Sequence, residues 1–257
     1  VHSGRGTNRS SQSLDHRGIM RAGAFTADGK LLAAGDYAGI TSIWTTNDWN
    51  RIAEPKTQKS WTTGIAFAPD SKTVATVGSD GTVVMADWEA NKELWRKESE
   101  AHATCVSFSP DGESLAVGYA SGRIEVLAIK DGTELGAFVA DSSFPMSLAY
   151  TANGRRVILG CWNSIVELWD AEHMELIVAT KQHSERVRAI AVSSNGKYFA
   201  TAADDKTIVL WGTEDGEAKK TWNPEGSLVG DLRFSVDGKS IVGASFDGGL
   251  LTLKVPE

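Results

Sequence analysis

A short turn motif recurs six times along this chain at almost constant spacing. It reads TADGK at Asp28, APDSK at Asp70, SPDGE at Asp111, TANGR at Asn153, SSNGK at Asn195 and SVDGK at Asp237, giving intervals of 42, 41, 42, 42 and 42 residues. A period that steady means one structural unit copied along the chain, each copy burying its apolar faces against its neighbours. Every motif lies between two β-rich runs, as in GAFTADGKLLAAG and AIAVSSNGKYFATAA. An Asp-Gly or Asn-Gly step in that setting supplies the positive φ angles of a tight hairpin. The unit is therefore predicted to be a small antiparallel meander.

The repeats divide near residues 16–58, 59–99, 100–141, 142–182, 183–222 and 223–257. After the hairpin comes a small-residue corner and a third strand, such as ITSIW, TVVMA, RIEVL, IVELW, TIVLW or GLLTL; a more polar fourth strand follows in the first five repeats. Four strands of about five residues each, with no helical periodicity, make one blade of a propeller. The predicted fold is all-β, with six four-stranded blades over residues 16–257. The sixth repeat stops at its third strand, LLTLKVP, so its fourth must come from elsewhere. Residues 1–15, VHSGRGTNRSSQSLD, are polar and read either as a linker or as an N-terminal clasp strand that completes that blade. The alternative is an incomplete seven-bladed propeller. The chain begins at Val1, so a further segment is expected upstream.

The third strands carry a resemblance. TIVLWG ending at Trp211–Gly212 and IVELWD ending at Trp169–Asp170 resemble the closing signature of WD-repeat β-propellers, and the resemblance covers residues 16–257. It implies a hydrogen-bonded structural tetrad in the fifth repeat, formed by His183, Thr201, Asp205 and Trp211. Other repeats depart from that pattern. His16 and Trp44 keep the outer members while Ala34 and Ala38 replace the middle pair; Thr76 and Asp80 keep the middle pair, but Ala86 stands at the tryptophan position, as do Leu127 and Leu253 later. Those blades are expected to depend mainly on apolar packing.

The remaining composition narrows function by exclusion. The formal charge is −7, and no basic run is long enough to follow a phosphate backbone, so nucleic acid is not the expected partner. No stretch approaches the roughly 18 to 20 apolar residues of a membrane-spanning helix. His2, His16, His102, His173 and His183 include no pair at ligand spacing, and Cys105 and Cys161 are 56 residues apart, so no metal site is expected. Gly238-Lys239-Ser240 ends like a phosphate loop, but Arg233 replaces its leading glycine. No catalytic constellation or cofactor site emerges, and an enzyme is not expected. Two cysteines suit a reducing cytoplasm, although a secreted or periplasmic setting is compatible with them.

What remains is one rim of the propeller. The resemblance implies that the segments before each first strand and the corners after each second strand share the usual docking face. The repeat period places Ile19, Trp61, His102, Phe144, Arg186 and Leu228 in one series, and Tyr37, Ser79, Ala120, Trp162, Asp204 and Phe246 in the other. Arg21 and Arg188 lie close by in sequence. Aromatic residues and arginine are the types enriched at binding hot spots. The expected binding residues are Trp61, Phe144, Arg186, Tyr37, Trp162, Phe246, Arg21, Arg188 and His102.

The expected function is a non-catalytic scaffold module that binds a protein or peptide, as a monomeric propeller within a larger protein or complex. Two alternatives stand beside it. One is a structural assembly subunit that accepts a strand or blade from a partner; the other is a sensor domain of a larger signalling or defence protein.

Overall fold

The computed structural model describes residues 14, 18–55, 57–141, 144–224, 226 and 228–256. Blade 1 is formed by β1 (Met20–Phe25), β2 (Leu31–Asp36), β3 (Thr41–Thr45) and β4 (Arg51–Ala53), and blade 2 by β5 (Thr62–Phe67), β6 (Thr73–Gly78), β7 (Thr82–Asp87) and β8 (Lys92–Glu98). Blade 3 contains β9 (Ala103–Phe108), β10 (Ser114–Tyr119), β11 (Arg123–Ala128) and β12 (Glu134–Val139); blade 4 contains β13 (Pro145–Tyr150), β14 (Arg156–Cys161), β15 (Val166–Asp170) and β16 (Leu176–Thr180). Blade 5 follows with β17 (Val187–Val192), β18 (Tyr198–Ala203), β19 (Ile208–Gly212) and β20 (Ala218–Trp222), and blade 6 with β21 (Val229–Phe234), β22 (Ser240–Ser245) and β23 (Leu250–Lys254). Each sheet is a simple antiparallel meander, three-stranded in blade 6 among the described residues. The molecule is a six-bladed β-propeller. The proposed clasp segment lies almost wholly outside the described residues, as does His16.

The hairpin motif folds differently from a two-residue turn. In blade 1, Gly29 N–H bonds to Thr26 C=O at 2.9 Å and Thr26 N–H to Leu31 C=O at 3.1 Å, so the loop is a four-residue turn closed by a glycine. Only the glycine takes a positive φ, at 69°. The aspartate instead works through its carboxylate, which accepts from Thr26 Oγ1 at 2.7 Å and from Lys30 N–H at 3.1 Å. A side chain that caps its own turn has no need of left-handed backbone. Blade 2 lacks both the hydroxyl, at Ala68, and the glycine, at Ser71, whose φ is 60°.

Among the described residues the core forms five layers between successive sheets. Ala33 and Ile43 of blade 1 meet Ile65 and Val74 of blade 2. Val77 and Met85 then meet Leu115, Tyr119 and Leu127. Cys105 and Ile124 pack on Leu148, Val157 and Trp169, while Ile158 and Leu168 pack on Phe199 and Trp211. The last layer joins Ala200, Ile208 and Leu210 to Leu232 and Ile241. Strands that bury both faces read as continuous apolar runs, which is why the second and third strands are the least polar. The far face of blade 6 departs from this rule. Asp231, Arg233, Ala244, Leu250 and Thr252 are exposed there, at the repeat positions where blade 5 buries Ala189, Ala191, Ala202, Ile208 and Leu210.

Among the described residues no helix is long and apolar enough to cross a membrane, and no group of three or more His, Cys, Asp or Glu side chains is placed to hold a metal ion.

Candidate interaction face

The two rim series are tied together through the backbone. Ser79 N–H bonds to Trp61 C=O, Ala120 to His102, Trp162 to Phe144, Asp204 to Arg186 and Phe246 to Leu228, at 2.8 to 3.2 Å. Each of these five links sits beside a β-bulge in the first strand, where the register skips Thr63, Thr104, Met146, Arg188 and Gly230 in turn, and blade 1 has the same bulge at Arg21. A bulge re-aims the extra side chain away from the ordinary pleat. The bulged residues are thus singled out by geometry that no local sequence signal announces.

On this frame the side chains form two groups. Tyr37 and Trp61 make an edge contact with ring centroids 4.9 Å apart, joining the corner of blade 1 to the start of blade 2. The Arg21 guanidinium lies 5.9 Å from the Tyr37 centroid and 5.7 Å from that of Trp61. In the second group Phe144 and Trp162 lie 5.2 Å apart, Arg186 covers Trp162 at 4.7 Å and Arg188 covers Phe246 at 5.5 Å. Such contacts hold exposed rings in place, at about 0.5 to 1 kcal/mol each. Trp61 and Trp162 are each 45% exposed and Phe246 is 64% exposed, well above core tryptophans such as Trp44 and Trp211. His102 is exposed and contributes its carbonyl to the rim, with no ring contact to either group among the described residues.

Asp204 organises the second group. Its carboxylate accepts hydrogen bonds from Arg186 Nε and Arg188 Nε, and from Arg188 Nη2 at 3.0 Å. Burial pushes its pKa up, but the two guanidiniums, Arg188 foremost, outweigh burial and hold it below the usual carboxylate range. Its signal in the sequence was an acid at the corner after β18 in a blade whose first strand begins beside Arg186 and contains Arg188.

Below the rim, blade 5 contains a continuous polar chain. Trp211 Nε1–H donates to Thr201 Oγ1 at 2.8 Å, and Thr201 Oγ1 lies 2.7 Å from His183 Nε2. On the other side of the ring, His183 Nδ1 lies 2.8 Å from Thr207 Oγ1, which donates to Asp205 Oδ1 at 2.6 Å. One proton arrangement satisfies every link: Thr201 donates to Nε2, and Nδ1–H donates to Thr207. Burial depresses the His183 pKa, with Asp205 opposing, which fits a neutral ring. For Asp205, burial acts upward, yet hydrogen bonds from Thr207 and from Ser184 N–H make the net shift downward. Thr207 was missed in the sequence because it lies outside the tetrad offsets.

The other blades improvise on this chain. Gln58 takes the histidine position in blade 2 and donates to Thr76 Oγ1 at 2.9 Å. Trp169 Nε1–H of blade 4 finds Glu167 Oε2 at 2.8 Å. In blade 1 Asp36, two residues before Ala38, accepts from the N–H groups of Ala38 and Ile40.

Six meanders stacked face to face, with a polar chain locking a corner and an aromatic rim above it, define a repeat propeller of the WD type. Comparison with known families agrees: WD domain, G-beta repeat matches residues 50–87 and 174–212, and Anaphase-promoting complex subunit 4 WD40 domain matches residues 91–153. The chain belongs to the WD-repeat β-propeller family. It is similar to Protein groucho of Drosophila melanogaster, with 28% identity over 239 residues that cover 91% of this chain and 32% of that protein. A second relative is p21-activated protein kinase-interacting protein 1-like of Danio rerio, 24% identical over 200 residues, covering 77% of this chain and 53% of the relative. WD repeat-containing protein SL1-17 of Schistosoma mansoni is 26% identical over 138 residues, or 53% of this chain and 46% of that protein. The chain thus spans between about a third and about half of these relatives.

Proposed function

We propose that this chain is a non-catalytic interaction module that captures a protein or peptide across its aromatic rim. The observation that carries this reading is the pair of exposed aromatic contacts, Tyr37 with Trp61 and Phe144 with Trp162, each held by an arginine. Rings fixed before binding lose little conformational entropy on association, so more of their burial, at about 25 cal/mol per Å², appears as affinity. The name of the Danio rerio relative, a kinase-interacting protein, describes an interaction for that protein and is in keeping with such a role.

The test replaces Trp61 and Trp162 together with alanine. Partners that co-purify with the wild-type protein should be lost, each ring contributing about 2 kcal/mol at a hot spot, while the melting temperature stays nearly unchanged. Retention of every partner by a folded double variant would move binding off the rim.

The exposed far face of blade 6 favours a second reading, an assembly subunit whose Leu250 and Ala244 receive a strand or blade from a partner. Under it, Leu250→Lys would abolish capture while the rim variants would not.

A further inference from the structure

The bulged position of the first strand provides an internal comparison. In blade 2 the Thr63 hydroxyl approaches Val77 C=O at 3.1 Å and Ala103 C=O of the next blade at 2.6 Å. Thr104 of blade 3 does the same with Gly118 C=O at 3.1 Å and Pro145 C=O at 2.7 Å. In blade 5 the bulged residue is Arg188, and the corner residue of that blade, Asp204, neutralises it. Met146 and Gly230 carry no charge. Arg21 of blade 1 stands at the position of Arg188, but the corner residue matching Asp204 is Tyr37. Among the described residues Arg21 makes no ion pair and no side-chain hydrogen bond; only the two rings flank it.

We infer that Arg21, flanked by Tyr37 and Trp61, is a carboxylate-reading subsite, and that the rim's partner is an acidic peptide presenting Asp or Glu beside an apolar side chain. This rests on the rim-binding reading above and adds the partner's chemistry. A guanidinium offers two parallel N–H donors to a carboxylate, and stacking on aromatic rings fixes its plane while leaving that edge free. The blade 4 and 5 group has its arginines already matched by Asp204 and offers Trp162 and Phe144, so it takes the apolar side chain. Arg21, flanked only by rings, also carries a charge opposite to that of an acidic segment, which orients the encounter.

The experiment selects a random 12-residue peptide display library on the full chain. The wild type is compared with Arg21→Gln, with Tyr37→Asp, which restores the blade 5 arrangement around Arg21, and with Trp162→Ala. Melting temperatures are recorded for all four. Binders from the wild type should share an acidic residue at fixed distance from an aromatic or aliphatic one. For the tightest synthetic peptide, replacing that residue with its amide should weaken binding to the wild type about tenfold, but less than about twofold to Arg21→Gln. Tyr37→Asp should lose the same preference while keeping Arg21. A phosphoserine version of the peptide identifies the anion: tighter binding than the Glu peptide would replace carboxylate by phosphate as the group recognised and overturn the inference as stated. Binders that depend on Trp162 but carry no acid, or that ignore Arg21→Gln, would overturn it while leaving the rim reading intact. Binders indifferent to Trp162 as well, or no binders, would overturn both.

Discussion

The hydroxyl of Thr207 stands 2.8 Å from His183 Nδ1, between the imidazole and the carboxylate of Asp205. His183 Nδ1 and Asp205 Oδ2 are 3.4 Å apart directly, so the threonine provides the shorter path between ring and acid. The polar chain of blade 5 is therefore five side chains long.

Because those five act in series, their deletions should not add. Asp205→Ala and Thr207→Val are each expected to cost about 1 to 3 kcal/mol, since either leaves a buried polar group without its partner. The double variant should cost clearly less than the sum. Urea denaturation of the two single variants and the double variant measures this directly, and full additivity would show that the chain is not one unit.

Stability should fall as the solution is acidified from neutral towards about pH 5. His183 is held below its ordinary value of 6.5 by burial, so the unfolded chain binds a proton that the folded chain refuses. Its contribution is complete above the unfolded pKa and is lost as pH drops through that range. Asp205, also depressed, loses its contribution only at lower pH, below about 4. Exposed His173 is raised by Asp170 and acts in the opposite sense, so the comparison must be with His183→Gln. Gln58 already fills this position in blade 2, and the variant should fold while showing a flatter stability profile between about pH 7 and 5.

Ser71 occupies the left-handed position that glycine holds in the other five hairpins. A Cβ there costs energy that glycine avoids. Ser71→Gly should raise stability by about 0.5 to 1 kcal/mol after the extra freedom of the unfolded glycine is counted. The reverse change, Gly112→Ser, should lower it. Denaturation midpoints of the two variants should move in opposite directions.

Both cysteines should be inert while the protein is folded. Burial pushes the Cys105 thiol up to about 12 and raises Cys161 as well, with the Glu167 carboxylate adding to the effect. Thiolate is the reactive form, so a thiol-specific chromogenic reagent at neutral pH should detect neither in the native protein and both in urea. Fast reaction of either native thiol would show that the layer between blades 3 and 4 opens.

The sequence by itself determined the period, the six blades, the alternation of apolar strands and the offsets of His183, Thr201, Asp205 and Trp211, because hairpins and corners are local chemistry repeated on a fixed count. It placed the hairpins but not how they close: the positive φ falls on the glycine alone, and the aspartate caps a four-residue turn through its carboxylate, a difference that only the strand register shows. Tertiary structure alone decided which side chains pair. Arg188 meets Asp204 across 16 residues, whereas Arg21 meets only the rings of Tyr37 and Trp61. The physical reason is that a bulge aims one side chain out of the pleat, and what it finds there is set by the corner above it and by the neighbouring blade.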